Sequence, residues 1–246
     1  MNNKLKGFKE ELFGRIHQQG ANHALKDSGI LFMKQTILSM YSYNFSWLGV
    51  PIIQYPQDMI AMQELIWDIK PDLIIETGIA HGGSIIYYAS LLEMIGKGSV
   101  LGIDIDIRPH NREVIEKHPL FKRIQMLEGS STSNEIFSKV LKICDGKEII
   151  MVILDSNHTH DYVLKELELF SPLVSVNSYL VVFDTIIEDL SDMNINFKER
   201  PWGKGNNPKT AVQKFLKNNN NFIIDKNIKD KLIITVAPDG YLKCVK

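Results

Sequence analysis

Apolar residues along this chain fall into short unbroken runs, separated by segments with a helical period. Five runs read as strands: Asp72-Leu-Ile-Ile-Glu76, Ser99-Val-Leu-Gly-Ile103, Arg123-Ile-Gln-Met-Leu127, Glu148-Ile-Ile-Met-Val-Ile-Leu154 and Tyr179-Leu-Val-Val-Phe183. The fourth is apolar at every position after its first, as a central parallel strand covered on both faces requires. Residues 84–94, 133–143 and 161–170 lie between them with helical spacing. Ahead of the first strand, residues 59–69 predict a helix with Asp58 as its cap, stopped by Lys70-Pro71. After the fifth, a helix near 209–217 and two strands, about 222–226 and 232–236, complete the pattern. The alternation predicts an α/β fold, a doubly wound, mostly parallel seven-stranded sheet of Rossmann-like type. Residues 1–45 read as a polar helical N-terminal extension, and 46–246 as the α/β domain. Two irregular segments stand out. Residues 46–58 are proline-punctuated and more apolar than a solvated linker, which predicts packing over the sheet or a ligand. Residues 186–208, centred on Arg200-Pro-Trp-Gly-Lys-Gly-Asn-Asn-Pro208, have the length of an active-site loop or lid.

Composition narrows the function classes. The 246 residues are 44% hydrophobic and 23% charged, ordinary for a globular protein. A net charge of −1 gives no electrostatic case for nucleic acid or an anionic membrane. No stretch approaches the ~20 apolar residues of a membrane span. The start of the chain is charged and lacks the apolar run of a signal peptide. Cys144 and Cys244 match no metal spacing, so reduced thiols and a cytoplasmic location are expected.

The chemistry concentrates at strand ends. The first strand runs into Glu76-Thr-Gly-Ile-Ala-His-Gly-Gly-Ser84, and the second ends in Gly102-Ile-Asp-Ile-Asp106. A strand, a glycine turn, a helix and a strand ending in acid make a nucleotide-binding half-sheet. The glycines let the backbone approach a ligand, and Asp104 can accept ribose hydroxyls. A dinucleotide site needs G-x-G-x-x-G with free amides for a pyrophosphate. Here Glu76 at the strand end would repel a pyrophosphate and suits a cationic amino or sulfonium group. That favours S-adenosylmethionine over NAD. The alternative is a tight βα turn that uses glycine for geometry alone.

In an open α/β sheet, ligands sit outside the carboxyl ends of the strands. Glu76, Asp104, Glu128, Asp155 and Asp184 all end strands and so face one rim, where they repel each other unless a ligand or cation compensates. Glu76, Asp104 and Glu128 fall on the cofactor half; Asp155 and Asp184 fall on the substrate half. The last two suit Mg²⁺, which can hold adjacent substrate hydroxyls and acidify one. Otherwise Asp155 caps the following helix and Asp184 sits in a turn. Of His158 and His160, His158 is the candidate general base, three residues from Asp155. His81 sits within the glycine turn and is expected to pack on the cofactor. Tyr41, Tyr43, Trp47 and Trp202 are candidate pocket walls, or else core and lid packing.

Trp47-Leu-Gly-Val-Pro-Ile52, Pro71 to Ser84, Gly102 to Asp106, Arg200-Pro-Trp202 and Pro238-Asp-Gly-Tyr-Leu242 together resemble the cephalosporin hydroxylase family over roughly residues 40–246. The resemblance implies the class I S-adenosylmethionine-dependent methyltransferase fold. It also implies O-methylation of a small molecule or of a sugar in a secondary metabolite or surface polysaccharide, typically with Mg²⁺. It places Glu76, Gly78, Ala80, His81, Gly82 and Ser84 around the methionine and ribose parts of the cofactor, Asp104 and Asp106 at the ribose, and Gly129-Ser130 at the adenine. Asp155 borders the cofactor and matches the first metal ligand; Asp184 is the second. Relatives commonly carry two successive acids where this chain has Phe183-Asp184, so one metal ligand is missing. His158 falls where catechol-type enzymes place a catalytic lysine. Relatives are often homo-oligomers, with no interface legible here. An oxygenase, as the family's name suggests, and a non-catalytic S-adenosylmethionine-binding protein are the alternative functions.

Overall fold

A computed structural model of the protein describes residues 3–190 and 200–246. Two helices, α1 (Asn3–Ala21) and α2 (His23–Leu38), lead into a short hairpin, β1 (Phe45–Trp47) and β2 (Val50–Ile52). The α/β succession follows: α3 (Pro56–Ile69), β3 (Leu73–Thr77), α4 (Gly83–Ile95), β4 (Ser99–Asp104), α5 (Pro109–Glu116), β5 (Ile124–Glu128), α6 (Asn134–Cys144), β6 (Ile150–Leu154), α7 (His160–Phe170) and β7 (Tyr179–Val182). The chain ends with α8 (Pro208–Asn218), β8 (Phe222–Ile224), α9 (Lys226–Lys231) and β9 (Tyr241–Cys244).

Among the described residues the main sheet has seven strands in the order β5-β4-β3-β6-β7-β9-β8. The first five are parallel to their neighbours, and β9 runs antiparallel to both β7 and β8. Alternation along β3 explains the three layers. Ile74 points into one apolar cluster with α3 and α4; Leu73 and Ile75 point into the other with α6, α7 and α8. Strands β3 and β6 are buried at every position, which is why their sequences show no polar alternation. From β3 the chain steps outward to β4 and β5, then returns to β6 and steps the other way. The order therefore reverses between β3 and β6, and a crevice opens where their carboxyl ends part.

Three local expectations are corrected. Residues 232–236 are not a strand; β9 at 241–244 takes the place between β7 and β8. The Asp225 side chain accepts the amides of Asn227 and Ile228 and starts α9, so Leu232–Val236 crosses over α3 as a loop instead. Asp58 does not cap α3. It is fully buried in the first turn and accepts bonds from the Thr235 and Tyr241 hydroxyls and the Val236 amide. Residues 46–58 are not wholly irregular, since they hold most of the β1–β2 hairpin and the start of α3. Of the segment 186–208, residues 191–199 lie outside those described; 185–190 form a 3₁₀ turn. No described helix is long and apolar enough to cross a membrane.

Candidate active site

The glycine turn after β3 is held from three sides. Gly78 has φ +94 and donates its amide to the Ile103 carbonyl at 2.7 Å. A Cβ on Gly78 would sit 2.1 Å from the Asp155 carbonyl oxygen, so glycine is needed for the β3 turn to pass the β6 turn. The chain's own packing thus demands this glycine, whatever it also offers a ligand. Gly82, at φ +92, starts α4. Asp104, at the end of β4, accepts the Ile79 and Ala80 amides on Oδ2 at 2.7 and 3.1 Å, and the Asp106 amide on Oδ1 at 3.2 Å. A carboxylate offers about four lone-pair sites, so this acid has little accepting capacity left for a ribose. The Asp106 side chain is exposed beside it.

Glu76 lies beneath the turn with no solvent exposure. Its Oε2 accepts the Ser84 hydroxyl at 2.6 Å, while Oε1 has no well-formed hydrogen bond, although the Tyr88 hydroxyl lies close enough to favour the carboxylate. Burial raises its pKa to about 8, against the hydrogen bonds from Ser84 and Tyr88 that lower it.

Across the crevice, Asp155, His158 and Asp184 bring donor atoms within 4.8 Å of one another. Asp155 follows β6, and Asp184, at φ 56, follows β7. Burial, then the neighbouring Asp184 and Glu76 charges, hold the Asp155 carboxyl well above the ordinary range. His158 Nε2 lies 3.1 Å from Asp184 Oδ2. This contact places Nε2 toward the Asp184 carboxylate and leaves Nδ1 as the other ring nitrogen. The imidazole stands edge-on to Trp202 at 4.8 Å, and the Arg200 guanidinium covers the same indole at 5.0 Å.

These groups line a cavity of about 510 Å³. Gly78, Ala80, His81 and Ser84 are on its turn side, Asp155, Ser156 and His158 on its floor, and Tyr43, Gln54 and Trp202 among its walls. Glu76, beneath the turn, and Gly82 are not part of that lining, and Asp104, Asp106, Gly129 and Ser130 lie outside it on the β4–β5 side. Glu128 is exposed and paired with Arg112 at 2.7 Å. His160 is not in the site; its ring Nδ1 meets the Thr210 hydroxyl at 2.8 Å. Tyr41 packs on Phe45 and Tyr55, and Trp47 bonds Ser90 and packs on Tyr87, so neither is a pocket wall. Phe183 is buried and packs edge-on to Tyr241, so it offers no ligand atom.

The Rhamnosyl O-methyltransferase/CmcI family matches residues 39–245. This chain belongs to it. It is 32% identical over 205 residues to the rhamnosyl O-methyltransferase of Mycobacterium tuberculosis (strain ATCC 25618 / H37Rv), covering 80% of this chain and 77% of that protein. Among solved structures, a CmcI structure with Mg and SAM is 17% identical, covers 83% of this chain and 78% of that one, and has a TM-score of 0.58. The O-methyltransferase from Bacillus cereus in complex with SAH is 13% identical, with 92% of each chain covered and a TM-score of 0.53. The fold is thus that of the class I methyltransferases.

The residues fit both groups that the family implies. Glu76 has an unsatisfied oxygen beneath the glycine turn, suited to a cationic ligand group. Asp155 and Asp184 are hard donors whose mutual repulsion a divalent cation would relieve. Two features escaped the sequence. Gln54, buried, sends Nε2 toward Asp155 Oδ2 at 3.4 Å, and its Oε1 lacks a partner. It was visible only as a lone polar residue in the apolar run 50–55. Glu166 is fully buried in α7, where Val163, Leu167 and Phe170 share its face. Its only sequence signal is an acid on an apolar stripe at helical spacing.

Proposed function

We propose that this chain methylates a hydroxyl of a sugar, with Glu76 and the glycine turn at the methionine end of the cofactor and Asp155, His158 and Asp184 at the acceptor. The chain is an S-adenosylmethionine-dependent O-methyltransferase. S-adenosylmethionine supplies an electrophilic methyl group on a sulfonium. The β3 turn and the β6–β7 ends face each other across one cavity, and this juxtaposition carries the reading. The acceptor hydroxyl sits at the acid cluster, where Asp155 and Asp184 would orient it directly or would hold a Mg²⁺ ion that acidifies it. His158 Nδ1 takes the hydroxyl proton, and Asp184 stabilises the imidazolium through Nε2. Holding the two reactants in line supplies most of the acceleration. Sugar is favoured because the relatives from three mycobacterial species are named rhamnosyl O-methyltransferases.

His158 cannot be base and metal ligand at once, since both roles use the same lone pair. The 3.1 Å approach of Asp184 to Nε2, which leaves Nδ1 for the acceptor hydroxyl, favours the base. His158→Ala tests it: turnover should fall by about 10²–10⁴ while Mg²⁺ and S-adenosylhomocysteine still bind. Loss of Mg²⁺ binding in that variant would make His158 the third ligand in place of the missing acid. One imidazole with two carboxylates is a harder donor set than the two-His-one-carboxylate sites of iron oxygenases, which weighs against the oxygenase. The functional assay follows labelled methyl transfer from S-adenosylmethionine to a panel of rhamnosides and other glycosides. Methylation of non-sugar phenols alone would overturn the sugar assignment.

A further inference from the structure

Glu166 ties together two of the turns at the crevice and lies against a third. Its Oε1 accepts the Ser131 hydroxyl at 2.6 Å and the Ser156 hydroxyl at 2.8 Å. Ser131 belongs to the turn after β5, and Ser156 follows Asp155. The Thr77 hydroxyl, at the end of β3, is buried beside Glu166 without a well-formed partner, as is Glu166 Oε2. The Tyr162 hydroxyl, one helical turn before Glu166, lies 3.0 Å from both Ser130 Oγ and Ser131 Oγ, and Ser130 Oγ is 3.1 Å from Thr132 Oγ1.

Each hydroxyl has one proton, so the acceptor at the end of this chain fixes every direction in it. Ser131 gives its proton to Glu166. Tyr162 must then donate to Ser131. Ser130 must donate to Tyr162, and Thr132 to Ser130. The Ser130 proton is therefore spent on Tyr162, which leaves Ser130 one lone pair and no proton to offer a ligand. Ser130 meets a ligand as an acceptor. A carboxyl proton on Oε2, facing Thr77, leaves Oε1 accepting and the order unchanged.

We infer that Glu166 is a positioning residue that sets Ser130 as a hydrogen-bond acceptor for the amino group of an adenine, so that the site selects a 6-amino over a 6-oxo purine. This rests on the assignment of Gly129-Ser130 to the adenine end of the cofactor. A polar site that is left unpaired by the wrong ligand discriminates far more strongly than an apolar one.

The test is calorimetric titration of the full chain with S-adenosylhomocysteine and with its inosine analogue, which carries an oxygen at position 6. The wild type should prefer the adenine form by about tenfold or more. In Glu166→Gln the amide oxygen keeps the Ser131 and Ser156 bonds and the amide nitrogen meets Thr77, so the preference should survive. Glu166→Leu removes the acceptor, and Tyr162→Phe breaks the relay while keeping the acid. Both should lower the preference to about threefold or less. Tyr162→Phe loses only a half-buried hydroxyl, so it carries the test even where Glu166→Leu fails to fold. Adenine preference unchanged in Tyr162→Phe would overturn the relay and leave the cofactor assignment standing. Failure of both ligands to bind the wild type would overturn the cofactor assignment, and this inference with it.

Discussion

Glu76 is the residue whose environment says most about the ligand. An acid with no exposure and a pKa near 8 holds a proton in the empty fold that the unfolded chain has already lost at neutral pH. Its contribution to stability is therefore full below the ordinary value of 4.5 and disappears as pH rises through about 8. A cationic group bound beside it reverses the preference by favouring the carboxylate. S-adenosylhomocysteine affinity should therefore strengthen with pH from about 6 to 8, by up to about tenfold per unit, and level off above. Binding below pH 8 should also release a proton, read as a dependence of the calorimetric heat on buffer ionisation. In Glu76→Gln both effects should vanish. A flat pH profile in the wild type would remove Glu76 from the cationic end of the ligand.

Among the elements, the link between α3 and the C-terminal loop is the clearest case of sequence and structure parting. Asp58 stood at the right place for a cap, but its carboxylate instead holds Thr235, Val236 and Tyr241. Asp58→Ala leaves three buried donors unpaired and should cost about 3 kcal/mol in urea unfolding, where loss of a cap alone costs about 1. A cost near the lower figure would mean that these bonds are replaced by water. Gly78→Ala places a methyl group against the Asp155 carbonyl at a left-handed φ. It should displace the turn, lower the melting temperature and weaken S-adenosylhomocysteine binding together. The elements that build this region were legible because apolar runs and glycine turns act through local sterics and burial. The acids at the ends of β3, β4, β6 and β7 could likewise be placed on one rim by topology alone. What was not legible depends on long-range pairing. The Leu232–Val236 run has better strand composition than Tyr241–Cys244, yet the latter pairs between β7 and β8. Gln54 meets Asp155 101 positions along the chain, and Glu166, readable as an acid on an apolar helix face, finds its partner Ser131 35 positions away.

At the scale of the whole molecule, the reversal of strand order between β3 and β6 does the decisive sorting. It parts two sets of strand ends, so the glycine turn after β3 and the ends of β6 and β7 face each other across one cavity. The residues that hold the turns in place, Asp104 and Glu166, each bridge strand ends instead of pointing into the cavity. In the proposed function the protein is a two-ligand device, with a cationic adenosyl ligand on the glycine side and a divalent cation with a hydroxylated acceptor on the acid side. The most direct measurement is calorimetric titration with S-adenosylhomocysteine, with and without Mg²⁺, on the wild type and on Asp155→Asn. The wild type should bind S-adenosylhomocysteine at micromolar concentration and give a Mg²⁺ heat that is lost in Asp155→Asn. Absence of S-adenosylhomocysteine binding under both conditions would contradict the proposed function.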